Sequence, residues 1–219
     1  GQVALIESIP TGLQDIYGIC SGLRNNGELV VFANGKSGAY EQWFLNPEGI
    51  FNPELEGKFK LDTQPEGCAV DDYAQKLYVG EESTGIWQMD ADYRAFDSKV
   101  LIDKVAKPYL KADVEGMDIY QSEGERYLVA SSQGNNSYAV YDISAAPKHV
   151  GSFRIENNKE AGVDGVQETD GLALSAANLG GVFAQGLLVV QDGENKKPKA
   201  HQNFKLVSWA ELLSALQPN

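Results

Sequence analysis

Three acidic residues stand directly before glycines at regular intervals: Glu66 before Gly67, Glu115 before Gly116, and Asp170 before Gly171. A weaker copy, Tyr17 before Gly18, precedes them, so the glycines follow one another at 49, 49 and 55 residues. Acids that recur at one point of a repeated unit meet if the units are arranged around an axis. Three carboxylates facing one another cannot all stay ionised unaided: they take up protons or bind cations. No His or Cys falls in the same register. Oxygen-only ligands favour a hard cation, calcium before magnesium or manganese. Further acids lie close by in sequence: Glu81 and Glu82, Asp113, Asp164 and Glu168. The segment QDGEN, 191–195, groups Asp192, Glu194 and Asn195 around a glycine. It reads either as a carboxylate-and-carbonyl calcium loop or as a plain turn.

The composition narrows the function classes. A net charge of −13 over 219 residues argues against nucleic acid as a partner, because a phosphate backbone calls for a basic surface. No apolar run approaches the roughly 18 residues of a membrane-spanning helix, so no membrane partner is expected. An apolar fraction of 42% is ordinary for a chain with a real core. Cys20 and Cys68 occupy neighbouring slots of successive units. A disulfide between adjacent strands is conceivable, but two buried free thiols are the expectation. With no CxxC pair, zinc is not expected. His149 and His201 stand alone and read as surface or hydrogen-bonded side chains. No signal peptide is visible, which leaves a secreted origin open.

The elements that must position these residues repeat with the same period of about 50 residues, the range of propeller blades and solenoid units. After each glycine comes a short apolar strand: GICSGL, GCAVDD, GMDIYQ and GLALS. A second strand follows (ELVVFANG, KLYVGEE, RYLVASSQG, GLLVVQDG) and then a third, usually aromatic (YEQWFL, GIWQMD, SYAVYD, NFKLVSW). A more polar fourth segment closes three of the units: GKFKLD, SKVLID and VGSFRIE. Turn residues such as NNG at 25–27 separate them. Four short antiparallel strands per repeat predict an all-β fold, a β-propeller of four-stranded blades, over a sandwich, which needs no period. In a propeller the first strand of each blade lines the channel, so Tyr17, Glu66, Glu115 and Asp170 become ring neighbours at one mouth. One helix is expected, SWAELLSALQ at 208–217, with Ser208 as N-cap and Glu211 three residues on. QVALIESIPT, 2–11, reads as the outer strand of a preceding blade.

The segments DTQPEGCAVDDYAQKLYVGEES, DVEGMDIY, YLVASSQGNNSYAVYD, DGVQETDGLAL, and VVQDGEN with HQNFKLVSW resemble the β-propeller phytases, from about Tyr17 to Trp209. The resemblance implies a six-bladed propeller that releases phosphate from phytate (myo-inositol hexakisphosphate) using several Ca2+ ions. It assigns Glu66, Glu82, Glu115 and Asp170 to the catalytic calcium ions, with Asp113 as companion of Glu115. Tyr17 and Lys36 border the scissile phosphate. Asp164, Asn195 and Glu194 correspond to tighter calcium sites that fasten blades. Four repeats are present, so residues 1–219 read as a single partial propeller domain, either a fragment or a naturally incomplete unit. The expected partners are phytate or calcium phytate, with neighbouring blades, another domain or self-association at the open ends. The expected location is secreted or periplasmic. The rival readings are a non-catalytic module binding calcium and phytate, and a lactonase-like propeller with a single calcium, which Lys36 beside the ring disfavours.

Overall fold

The computed structural model describes residues 2–5, 7–45, 52–122, 124–197 and 199–216. Within them the chain is built from four antiparallel sheets in succession. The first holds β1 (Ile16–Leu23), β2 (Leu29–Gly35), β3 (Ala39–Leu45) and β4 (Glu54–Lys60). The second holds β5 (Pro65–Asp71), β6 (Lys76–Glu81), β7 (Gly85–Asp90) and β8 (Val100–Lys104). The third holds β9 (Val114–Ser122), β10 (Glu125–Ser132), β11 (Ser137–Asp142) and β12 (Lys148–Phe153). The fourth has three strands, β13 (Leu172–Ser175), β14 (Leu187–Asp192) and β15 (Asn203–Ser208), and leads straight into α1 (Trp209–Leu216). In each sheet strands consecutive in the chain pair antiparallel with one another. The innermost strands β1, β5, β9 and β13 lie side by side. These are four blades of a propeller, as the repeat predicts.

Among the described residues no blade has a core of its own. The apolar residues form three clusters, one at each junction. Phe32, Tyr40, Leu61, Leu77, Val79 and Met89 join the first two blades. Tyr78, Ile86, Met117, Leu128 and Tyr141 are central to the second junction. Tyr120, Tyr138, Leu188, Val190 and Trp209 fill the third. Period-2 alternation gives every strand two faces, and a blade between two others buries both.

The glycines after the ring residues have a direct packing role. A Cβ on Gly18 would meet the Glu66 carbonyl oxygen at 2.1 Å, and one on Gly67 would meet the Glu115 carbonyl oxygen at 2.1 Å. Each glycine therefore lets the backbone carrying the next acid press against it.

Three expectations are corrected. Cys20 and Cys68 form a disulfide, with Cα atoms 5.6 Å apart, in place of two free thiols. In each blade the second residue after the ring glycine faces the next blade and the first faces the previous one, so two cysteines 48 apart confront each other. Residues 2–5 and 7–11 carry no strand pairing; Gly12 N–H donates to the Glu41 carboxylate, tying this segment to the first blade. Ser208 does not serve as the cap: it ends β15, and its hydroxyl donates to the Val182 carbonyl at 2.7 Å. Gln217, the expected helix end, lies outside the described residues.

Candidate functional site

The ring residues enter at equivalent points. Tyr17, Glu66 and Glu115 are each the second residue of an innermost strand, and Asp170 stands two residues before β13. The strands run in the same sense, so these side chains meet at one end of the channel. Glu66, Glu115 and Asp170 offer carboxylate oxygens that all lie within 4.8 Å of one another.

Lys36 and Glu82 arrive by a second repeated device. Each follows immediately on a second strand, which runs back toward the same end. Lys36 N–H donates to the Asp15 carbonyl at 3.3 Å, Glu82 N–H to Gln64 at 3.0 Å, and Gln133 N–H to Asp113 at 3.0 Å. Each acceptor lies two residues before a ring member. One backbone bond thus places Lys36 and Glu82 on the ring although both are remote from it in sequence. Lys36 Nζ stands 4.3 Å from the centre of the Tyr17 ring.

The electrostatics follow from crowding. Burial, the adjoining Glu66 carboxylate, and the charges of Glu82 and Asp170 push Glu115 up to about 9. Burial raises Asp170, and the Glu66 charge adds to this. Burial also raises Glu82; Asp113 and Glu66 reinforce the effect, while the Gln64 hydrogen bond and Lys36 oppose it. Tyr17 is driven up to about 12 by burial and by Glu66. Its phenol is a donor at any physiological pH. Glu66 Oε2 and Glu115 Oε2 are buried and have no hydrogen-bond partner among the described residues. Buried carboxylate oxygens are normally satisfied, and an arriving cation would satisfy these.

Glu81, next to Glu82, does other work. Burial opposes its charge, but Trp87 Nε1 at 2.7 Å and the Thr63 N–H at 2.6 Å hold its carboxyl low. It braces the second blade.

The Asp164 group is assembled differently. Asp164 Oδ1 is 2.9 Å from Lys205 Nζ, whose other oxygen neighbours are Asp192 at 3.0 Å and Asn203 at 3.0 Å. The other Asp164 oxygen accepts from the backbone N–H groups of Lys196 and Lys197. The Lys205 ammonium, with these donors, holds Asp164 down to about 2. Asn195 Nδ2 donates to the His201 carbonyl at 3.3 Å, and Asn195 Oδ1 is buried with no partner among the described residues. Glu194 is exposed and pairs with Lys196 at 2.8 Å. A lysine ammonium thus supplies the cation between Asp164 and Asp192.

Sequence reasoning missed Gln64, whose side chain donates to Glu82 at 2.5 Å and orients it. Its signal was available: Gln64 occupies the slot two before Glu66 that Asp113 occupies before Glu115.

Comparison with known proteins bears on this arrangement. A 3-phytase of Bacillus subtilis (strain 168) is 34% identical over 214 residues, covering 95% of this chain and 56% of the relative. The chain therefore spans about half the length of the curated relative it matches. Among solved structures, a dihydro-heme d1 dehydrogenase, NirN, in complex with DHE matches with TM-score 0.53 at 11% identity. That match covers 93% of this chain and 36% of the other, and bears on the fold alone. The RRP9 WD40 repeats match at TM-score 0.48 and 13% identity, over 87% of this chain and 50% of the other, and nothing is drawn from that match. The phytase family model spans residues 3–219 and, with the 34% identity, makes this chain a member of the phytase family.

Proposed function

We propose that this chain carries the calcium-binding mouth of a phosphomonoesterase that hydrolyses phytate to lower inositol phosphates and phosphate. The observation that carries the reading is the group of Glu66, Glu115 and Asp170 with two buried, unpartnered carboxylate oxygens. Its donor set is all oxygen and suits a hard cation. Glu66, Glu82, Glu115 and Asp170, with Asp113 beside Glu82, would hold the ions. Calcium bound there supplies charge that attracts a phosphomonoester dianion and acidity that makes water a competent nucleophile. Lys36 adds a fixed positive charge for the phosphate oxygens, and the protonated Tyr17 phenol donates a hydrogen bond that orients them. The acids act as ligands, not as proton donors. The −13 charge fits a protein that must be loaded with cations before it meets a polyanion.

Asp164, Glu194 and Asn195 form a second proposed calcium group. Its support is the unpartnered Asn195 oxygen; Lys205 stands against it, since calcium there would share Asp164 with an ammonium already in place. Secretion or a periplasmic location is proposed on the strength of the disulfide, which persists in oxidising compartments.

A second reading has its own observation. Ile19 occupies the slot of Cys68 and Met117, which are buried against the preceding blade, yet it is 72% exposed. A chain with one open blade face could bind calcium and phytate without turnover. The test measures phosphate release from phytate with calcium and with chelator, for this chain and for the chain joined to further blades. Calcium-dependent release by either supports the enzyme reading. Phytate binding without release by both supports the module, and neither binding nor release sinks both.

A further inference from the structure

The ring acids sit on different blades, and something must fix one blade's acid relative to its neighbour's. Two buried polar side chains stand where this would be done. Asn34 lies in β2 opposite Gly18 and is fully buried. Its Oδ1 accepts from Gly18 N–H at 3.0 Å, and its Nδ2 donates across the blade junction to the Glu66 carbonyl at 3.0 Å. The same amide reaches Tyr40 Oη at 3.0 Å. One side chain therefore holds the backbone next to Tyr17 and the backbone of Glu66.

Ser131 lies in β10 between Ala130, which pairs with Met117, and Ser132, which pairs with Val114. That is the slot of Asn34, two blades on. Ser131 is fully buried too, and its hydroxyl is hydrogen-bonded across the next junction to the Thr169 carbonyl at 3.0 Å and hydroxyl at 2.9 Å. Thr169 is itself fully buried and immediately precedes Asp170. In the blade between, the slot is Gly80, where a Cβ would meet Val114 and Met117 at 3.0 Å. There the Met117 and Val114 side chains, with the Val114 carbonyl oxygen at 3.1 Å, leave little room for one.

We propose that Asn34 and Ser131 are positioning residues of the metal site, each reaching from the second strand of its blade to set the ring acid of the next. This rests on the reading of the ring as a cation site. An amide and a hydroxyl at this depth could instead be only structural. The positions argue otherwise, because both bonds end on the peptide units that aim Glu66 and Asp170. Partners behind metal ligands commonly cost about 10- to 100-fold in metal affinity when removed.

The test uses the full chain, the single variants Asn34→Ala, Asn34→Ser, Ser131→Ala and Ser131→Thr, and Glu66→Gln with and without Asn34→Ala. Calcium affinity is measured by calorimetry after chelation, well below each melting temperature. The expectation is at least tenfold weaker binding for Asn34→Ala and Ser131→Ala, and recovery to within about threefold for Ser131→Thr. Asn34→Ala made on Glu66→Gln should weaken binding no further, because the amide acts through Glu66. A full additive loss in that cycle, or affinities within twofold of the parent beside a lowered melting temperature, would overturn the proposal. Nuclear Overhauser contacts between the Tyr17 ring and the Glu66 side chain, recorded without metal, report the geometry directly. Their loss in Asn34→Ala, or in Asn34→Ser should the alanine variant not fold, supports the positioning role. Their persistence counts against it. A parent that binds no calcium would sink the cation reading of the ring, and the metal-free contacts would then decide the positioning role alone.

Discussion

Glu115 shows most clearly what the ring demands of a single residue. Without metal its carboxyl keeps a proton to about pH 9, because burial and the neighbouring Glu66 penalise the charge. Its folded pKa lies above the ordinary glutamate value, so the stability that this proton brings is complete at low pH. It is lost as pH rises toward 9. In chelator the melting temperature should therefore fall between pH 5 and 9, and Glu115→Gln should flatten that slope. Calcium should flatten it as well, with affinity rising with pH because binding displaces the proton. In a propeller completed by further blades, Glu115→Gln should reduce phytate hydrolysis at least tenfold. A rate within about twofold of the parent, roughly 0.5 kcal/mol, would remove Glu115 from the catalytic set. Lys205 poses the opposite case. Lys205→Met leaves Asp164 and Asp192 facing each other without a cation. The melting temperature should drop in chelator, and calcium should restore most of it if this group accepts the ion. A drop that calcium leaves untouched assigns the group to Lys205 alone.

At the scale of elements, the site is a product of where strands begin and end. Starts of innermost strands supply Tyr17, Glu66 and Glu115; ends of second strands supply Lys36 and Glu82. The backbone bonds from Lys36 to Asp15 and from Glu82 to Gln64 join the two sets. The disulfide adds a covalent tie between β1 and β5, two residues from Gly18 and one from Gly67. Cross-linking residues 48 apart constrains the unfolded chain by up to about 4 kcal/mol in the loop-entropy picture. Replacing both cysteines by serine should lower the urea unfolding free energy by about 2–4 kcal/mol, and the loss of calcium affinity should be smaller than for Asn34→Ala. An unchanged unfolding midpoint would mean that the bond adds nothing to stability.

The whole molecule has two unlike outer faces. Interior blades bury both sides, but the outward side of β1 presents Ile19 and Leu23, 72% and 46% exposed. Apolar rows of this kind mark surfaces that are covered in use. At the other end α1 folds back against the third and fourth blades, with Trp209 stacked on Tyr120 at 4.1 Å between ring centres. That helix closes one side, and the β1 side stays open. Light scattering on the isolated chain should reveal self-association, which Ile19→Lys should reduce without changing the melting temperature. A monomeric parent with calcium-dependent phytate hydrolysis equal to that of a completed propeller would show that the open face is harmless and the remaining blades dispensable.

Much of this was legible without coordinates. The 49-residue spacing of Gly18, Gly67 and Gly116 marked the blades, because each repeat must present the same strand to the same axis. The acids before Gly67, Gly116 and Gly171 marked the ring for the same reason: equivalent positions in rotated units face one another. Other features depended on distances between blades, which no local pattern encodes. The cysteines pair because the first and second residues after a ring glycine point to opposite neighbours, a matter of facing that composition does not reveal. Asn34 and Ser131 look like ordinary strand residues until the next blade's carbonyl arrives beside them. Lys205 became the cation of the Asp164 group only through folding, since β15 carries its ammonium to two acids 13 and 41 residues away. The sequence by itself determined which residues recur, and hence the blades and the ring. Tertiary structure alone decided which polar groups find partners across the junctions and which carboxylate oxygens are left without any, because burial and partnership arise only when the blades pack.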